Sequence, residues 1–340
     1  WIGVMIGIIW VDLCKGLNKI PQERVSSMNA LWKEFNLNLK EAEYRVVNKI
    51  PRFVNDRNYT SAFGIQWNHF KKTQLDSFSN FPLSESRLKR CLGKELFSGL
   101  KGKLVLEAGC GAGRFTEILL HNGANVVSID MSSAVDANQE NFPQNEHHII
   151  AQADICELPF LEGQFDMVVC LGVIQHTEFP DKTLEALYEQ VKPGGWLIVD
   201  HYIFSWSYLT QVAKILFRFI LKRIHPESAF VITGYLVKIF LPLHRLGRRS
   251  RVWQAIMRRV TPVVSYYNDF PNLSDELQEE WALLDTHDNL TDYYKHLTTK
   301  KDFKKSMEKL GLENIECWNA GIGVEGRAKK TTKNLDSSNA

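Results

Sequence analysis

The residues with the clearest capacity for chemistry are Glu107-Ala108-Gly109-Cys110-Gly111-Ala112-Gly113. Glycine carries no Cβ, so a turn built on it lets the backbone come close to a ligand. A dinucleotide-binding turn reads G-x-G-x-x-G and aims a helix N-terminus at a pyrophosphate. Here the spacing is G-x-G-x-G, and an acid stands two positions before the first glycine. A carboxylate at that point repels a pyrophosphate and favours a ligand that carries positive charge.

Three later positions narrow the ligand. Asp130 lies 23 residues after Glu107, where a carboxylate can accept from ribose hydroxyls. Asp154 can accept the amino proton of an adenine, and the Ile155 backbone N–H can donate to the ring. Leu171-Gly172-Val173 then closes an apolar run at the sheet edge where such folds place ligands. A lone Asp at a strand end more often caps a helix or shapes a turn. Taken in order, the four features fit an adenosyl group bearing a sulfonium and an ammonium, as in S-adenosylmethionine (SAM).

The elements that must position these residues are legible from apolar runs. Residues 103–107 (KLVLE) form a strand, followed by the glycine turn and a helix over 114–121 that Asn122-Gly123 ends. Further strands are expected at 125–130, 148–152, 165–171 and 196–200, the last introduced by Lys192-Pro193-Gly194-Gly195. Apolar strands interleaved with helices indicate an α/β fold whose parallel sheet is buried on both faces. The rhythm breaks over 201–300 and resumes with a helix at 301–310 and strands near 313–318 and 323–329. The expected organisation is an ill-defined segment 1–50, a helical cap 51–100, a ligand-binding core 101–200, a basic helical lid 201–300, completion of the sheet over 301–328, and a disordered tail 329–340.

Residues 107–115 (EAGCGAGRF), 127–130, 154–160 (DICELPF), 171–177 (LGVIQHT) and 192–200 (KPGGWLIVD) resemble the successive motifs of class I SAM-dependent methyltransferases. Among these the chain is most similar to the bacterial small-molecule group called methyltransferase type 11. Segments 50–54 (IPRFV), 63–70 (FGIQWNHF), 74–77 (QLDS) and 280–294 (EWALLDTHDNLTDYY) resemble one of its subgroups, so the likeness covers about 50–328. It implies a doubly wound, Rossmann-like, seven-stranded sheet of order 3-2-1-4-5-7-6, with strand seven antiparallel. It also implies SAM contacts at Glu107, Gly109, Gly111, Asp130, Asp154 and Ile155, to which Gly113 and Leu171 add the end of the turn and the neighbouring strand end. In some relatives IPRFV follows a small zinc-binding module. Cys14 is the sole cysteine before Cys91, so no metal is expected.

Methyl transfer from a sulfonium is an in-line displacement, served largely by holding the nucleophile in line in a dry site. A hydroxyl acceptor additionally wants a base, and the sequence offers His176, His201, Asp285, His287 and Asp288. Each could instead pack or cap. His176, just past the fourth strand, is the favoured candidate, with Asp285 and His287 next.

The bulk properties set limits. The 340 residues carry a formal charge of +2, yet between 214 and 259 there are eleven Lys/Arg and one acid, Glu227. Amphipathic helices forming a lid are the simplest reading of that stretch. Docking on an anionic membrane, or binding an anionic or lipid-linked acceptor, are the alternatives. The run 229–243 holds Lys238 and is too short to span a bilayer, and 1–11 is shorter still and lacks the flanks of a signal peptide. Six scattered cysteines without a C-x-x-C pair suggest reduced thiols in a cytoplasm, and the basic stretch 214–259 admits peripheral contact at its inner membrane face. A nucleic-acid methyltransferase is disfavoured because 171–174 reads LGVI rather than an N-P-P-Y type motif, and no Pro-Cys nucleophile motif or RNA-binding module is evident. A catalytically silent SAM-binding partner protein is a third reading, and the glycine spacing argues against a dehydrogenase.

Overall fold

The structure, a computed structural model, describes residues 32–55, 58–321 and 323–332. The apolar run 1–11, Cys14 and the tail beyond 332 lie outside the described residues. Nine strands form one sheet: β1 (Arg45–Val47), β2 (Ile50–Arg52), β3 (Leu104–Ala108), β4 (Asn125–Asp130), β5 (His148–Gln152), β6 (Phe165–Cys170), β7 (Val191–Tyr202), β8 (Leu312–Ala320) and β9 (Gly323–Lys330). Their order is β1-β2-β5-β4-β3-β6-β7-β9-β8. The expected order 3-2-1-4-5-7-6 is contained in it, and β9 runs antiparallel to both β7 and β8 as anticipated.

The count of seven strands needs correction. A hairpin, β1–β2, adds two short strands beyond β5, held by the Arg52–Gln152 pairing. Its three-residue strands carry no alternation, and Pro51 argues against a strand when read locally. Two boundaries also move. Lys192-Pro193-Gly194-Gly195 is not a turn before β7 but an irregularity inside it, where the register against β6 shifts between Phe165 and Met167. The last strand continues to Lys330, because its residues pair with β7 and β8 past the boundary expected at 328.

Alternation along the central strands explains why helices cover both faces. Leu106, Val127, Ile129, Val168, Leu197 and Val199 point to one side, where they pack with α6 (Pro180–Gln190) and α12 (Lys300–Lys309). Val105, Val126, Met167, Val169 and Ile198 point to the other, against α3 (Leu83–Ser98) and α4 (Arg114–His121). With both faces buried, a parallel sheet must read as continuous apolar runs, and this one does.

The remaining helices are α1 (Ser61–His69), α2 (Asp76–Ser79), α5 (Ala134–Asn141), α7 (Trp206–Leu209), α8 (Val212–Leu221), α9 (Pro226–Leu246), α10 (Arg251–Val260) and α11 (Asp275–Thr291). Of these, α5 crosses over from β4 to β5 with Val135 packed on Ile50 and Ile150 of the sheet, and the others belong to the leader and the insertion. The insertion has its own small core, in which Val237, Leu241, Val263, Tyr267 and Ala282 pack together. It is pinned to the leader by the Trp281 Nε1–H bond to the Thr73 carbonyl, 3.0 Å long, and by α1 packing on α9 and α11.

Candidate functional site

The glycine turn joins β3 to α4. Gly109 has φ +79°, and a Cβ there would sit 2.2 Å from Val173 Cγ2, so no other residue fits without moving the β6 loop. Gly113 has φ +99° and opens α4, and Gly111 lies under the ring of Trp67 from α1. Glu107, next to the last residue of β3, lies inside this cradle, 2 % exposed. Thr116 Oγ1 (2.5 Å) and Ser128 Oγ (3.0 Å) both donate to its Oε2, whereas Oε1 is buried and has no hydrogen-bond partner. Burial pushes its carboxyl up to about 7, against the pull of those two hydroxyls. A buried acceptor left unmatched is costly, and an ammonium is the group that would match it. The cradle therefore fits a cationic ligand.

Asp130 stands beside it, close enough for its charge to bear on Glu107. Ser132 donates to Oδ1 through both its N–H (2.8 Å) and its hydroxyl (2.7 Å), and the Gly111 N–H donates to Oδ2 at 3.0 Å. An ionised carboxylate offers about four acceptor positions, so room remains for one ribose hydroxyl rather than two. Asp154 follows β5 on the adjacent strand end, and the Ala153 N–H to Asp130 carbonyl bond, 3.1 Å, ties the two ends together. Its Oδ1 caps the short turn Ile155–Glu157 by accepting from the Cys156 N–H at 2.8 Å. Ile155 is buried. Leu171 is buried at the end of β6, and the next N–H, from Gly172, donates to Asp200 Oδ1 at 2.6 Å. Arg87 from α3 holds the other oxygen of Asp200.

A second constellation adjoins the first. His176 lies in the turn Ile174–His176, buried between the rings of Phe63 and Tyr202, each 5.3 Å away and edge-on. Its Nδ1 is 3.3 Å from both Asp292 Oδ2 and the Tyr294 carbonyl. Burial opposes a charge on this ring, but the Asp292 bond and the charges of Asp288 and Asp292 outweigh it and raise the pKa above the ordinary histidine value. Asp292 is in turn gripped by Arg218 Nε at 2.6 Å and Lys295 Nζ at 3.0 Å. Burial alone would raise its carboxyl, yet these partners bring it down to about 2. His176, Asp288 and Asp292 could in principle face one metal ion, their nearest ligand atoms lying within 4.8 Å of one another. Arg218 and Lys295 already neutralise Asp292, which disfavours a further cation there.

Helical periodicity sorts the candidates of the late block. Asp285, Asp288 and Asp292 recur on one face of α11, toward His176 and the sheet edge. Burial pushes Asp285 up to about 7, the Asp288 charge adds to this, and its carboxylate accepts from the Tyr266 hydroxyl. His287 is on another face, edge-on to Phe230 of α9 at 5.1 Å, with both ring nitrogens buried and without a hydrogen-bond partner, and burial lowers it to about 4. His201 also leaves the group. It alternates away from Asp200 and Tyr202 along β7, bonds the Tyr202 carbonyl through Nδ1 and packs near Phe303 of α12.

Several participants escape a reading of the sequence. Arg114, directly after the last glycine, is half-buried, bonds Ser84 Oγ and Gln74 Oε1 at 3.0 Å each, and is lowered by burial to about 10. Lys214 from α8 is likewise lowered by burial to about 8, with Lys295 and Arg258 adding to the effect. Among the described residues, neither cation has a carboxylate within 4 Å, although Asp285 acts on both. Asp292 was the one findable from the text, as the third member of an acidic helical stripe. A cavity of about 500 Å³ lies at the opposite edge, near Leu104, Asn125 and Asp166 at the strands' amino ends. Doubly wound sheets bind ligands at their carboxyl ends, so that groove is not the site.

Comparison with known proteins gives the same location. Residues 106–199 match a family model described as a methyltransferase domain. A ubiquinone biosynthesis O-methyltransferase of Pseudomonas aeruginosa is 36 % identical over 109 residues, covering 30 % of this chain and 46 % of that protein. The protein of the same description from Acinetobacter baumannii is 32 % identical over 151 residues, covering 40 % and 61 %. The chain thus spans about half the length of the curated relatives it matches. Among solved structures, magnesium protoporphyrin IX methyltransferase from Synechocystis aligns with 81 % of this chain and 98 % of its own, at 14 % identity and a TM-score of 0.44.

Proposed function

We propose that the chain, whose residues 106–199 match a methyltransferase domain model, is a class I SAM-dependent methyltransferase that transfers a methyl group from SAM to an oxygen of a small-molecule acceptor. The observation that carries this reading is the buried Glu107 carboxyl with one oxygen unmatched beside the glycine turn. Glu107 would hold the ligand's ammonium, Asp130 a ribose hydroxyl, and Asp154 with the Ile155 N–H the adenine. Gly109, Gly111 and Gly113 keep the backbone open for it, and Leu171 lines the neighbouring strand end. SAM, when bound, supplies an electrophilic methyl group on a sulfonium.

The chain's own part is positioning and proton handling. His176 Nδ1 is committed to Asp292 and the Tyr294 carbonyl, which leaves Nε2 to take the acceptor's hydroxyl proton. Asp292, kept ionised by Arg218 and Lys295, stabilises the imidazolium that results. Phe63 and Tyr202, edge-on to the His176 ring, exclude water around that path. Asp285, hydrogen-bonded by Tyr266, is the second group able to accept a proton near neutral pH.

Arg114 and Lys214, half-buried without a carboxylate within 4 Å, suit an acceptor that bears negative charge. The basic excess over 214–259 suits an anionic or lipid-linked acceptor and peripheral contact with the inner face of a cytoplasmic membrane. The oxygen assignment is supported by the similarity to the two ubiquinone biosynthesis O-methyltransferases. Incubating the protein with methyl-labelled SAM and the small-molecule fraction of a cell extract tests the reading. Label should enter an ether or ester product at neutral to alkaline pH. Label found only in nucleic acid, or in nothing despite SAM binding, would overturn it.

A further inference from the structure

Three successive helices of the insertion turn their apolar faces outward. On α8, Val212, Ile215, Leu216, Phe219 and Ile220 recur at helical spacing and are all exposed, while Lys214, Phe217, Arg218 and Leu221 face the protein. This is the reverse of a helix whose apolar stripe packs on its own core. On α9 the exposed stripe is Val231, Ile232, Tyr235, Ile239 and Leu246, opposite buried Thr233, Leu236, Val237, Leu241 and His244. On α10 it is Val252, Ile256 and Val260. Trp206 of α7 leads into this surface, 76 % exposed. Scattered exposed apolar residues are ordinary, but contiguous stripes on adjoining helices mark an interaction surface.

The charge around the stripes selects the occupant. Lys238, Arg248, Arg249, Arg251, Arg258 and Arg259 are exposed beside them, and Glu227 is the one acid of 214–259. Aliphatic and aromatic residues rimmed by arginine and lysine match the interface of a bilayer bearing anionic headgroups. Helix α9 extends the run 229–243, expected to be too short for a bilayer, to 21 residues, which is long and apolar enough to cross a membrane by length and composition. Crossing would strip its inner face, including His244 bonded to Gln254 and Thr261 at 2.9 and 2.8 Å, so lying in the interface plane is the arrangement its packing allows. A cavity of about 170 Å³ opens where Leu221, Lys222 and Pro226 meet Tyr59, and Tyr59 is close enough to Asp154 to feel its charge. The C-terminal end of α8 and the edge of the adenosyl site are therefore neighbours.

We propose that residues 206–260 form a docking face for an anionic lipid bilayer, with α8, α9 and α10 lying in the interface and their stripes among the acyl chains. This deepens the membrane contact proposed above and rests on it for the partner, while its test reads lipid binding without any methyl transfer.

The test is flotation of the full chain with vesicles of phosphatidylcholine alone, or with roughly one-third phosphatidylglycerol, at low and high salt. The chain should float with the anionic vesicles, less so as salt rises, and poorly with phosphatidylcholine. The double variant Leu216→Ser/Phe219→Ser should weaken binding at least about tenfold. Arg248→Glu and Arg249→Glu should each weaken it roughly fivefold. SAM binding of these surface variants, measured alongside, should match that of the parent and so reports that they are folded. No flotation, equal binding to uncharged vesicles, or a lipid-free dimer abolished by Leu216→Ser/Phe219→Ser would each overturn the proposal.

Discussion

Glu107 is held near neutrality by burial, with two hydroxyls on one oxygen and nothing on the other. A cationic ligand needs it ionised, so binding near pH 6 should expel a proton that binding near pH 8 does not. SAM affinity should then rise with pH across about 7, and calorimetry in buffers of different ionisation enthalpy reads the proton directly. The same residue affects stability. A carboxyl raised to about 7 in the folded state stabilises fully below its unfolded pKa, and this contribution is lost as pH rises through 7. His148 and His287, both lowered to about 4 by burial, act in the opposite sense, stabilising above about 6.5 and losing that as pH falls toward 4. Glu107→Gln removes one opposing contribution. Between pH 4.5 and 6.5 its unfolding free energy in urea should fall on acidification more steeply than the parent's, by about 1.4 kcal/mol per pH unit. At His176, replacement by Gln should cost about a hundredfold or more in turnover and remove the acid limb of the pH profile, which in the parent sits above the ordinary histidine value.

Among the elements, the pairing of α8 with the C-terminal end of α11 has the largest local consequence. Arg218 donates to the Asp292 carboxylate and, through Nη2, to its backbone carbonyl at 2.8 Å, and Lys295 holds the same side chain. Asp292→Asn leaves both cations uncompensated in a buried site and should cost about 3 kcal/mol in chemical denaturation. It should also lower the pKa governing turnover, since the imidazolium of His176 loses its partner. A variant that loses stability while its pH profile stays put would assign Asp292 a structural role alone. The strands were readable because a sheet buried on both faces needs runs such as 103–107 and 165–171 to be apolar throughout. The hairpin β1–β2 was not, since its pairing with β5 is a tertiary contact that overrides the local veto of Pro51. The glycine turn and the acids near it were readable because backbone approach and charge are local demands. Arg114 and Lys214 were not, because burying a cation leaves no mark on spacing.

Across the whole molecule, the sheet presents one chemically equipped edge, and the insertion closes over it with its basic inward residues on the site and its apolar stripes outside. Periodicity announced amphipathic helices in 201–300 but could not say that their apolar faces would point away from the protein. That depends on α11, which already fills the inner side of α8 and α9. Titration calorimetry of the full chain with SAM, set against NAD and repeated with Glu107→Gln, tests the central claim most directly. A saturable one-to-one heat with SAM, none with NAD, and a loss of at least about tenfold in affinity on removing the carboxylate charge are the predicted results. Absence of SAM binding, or affinity indifferent to Glu107, would contradict the account.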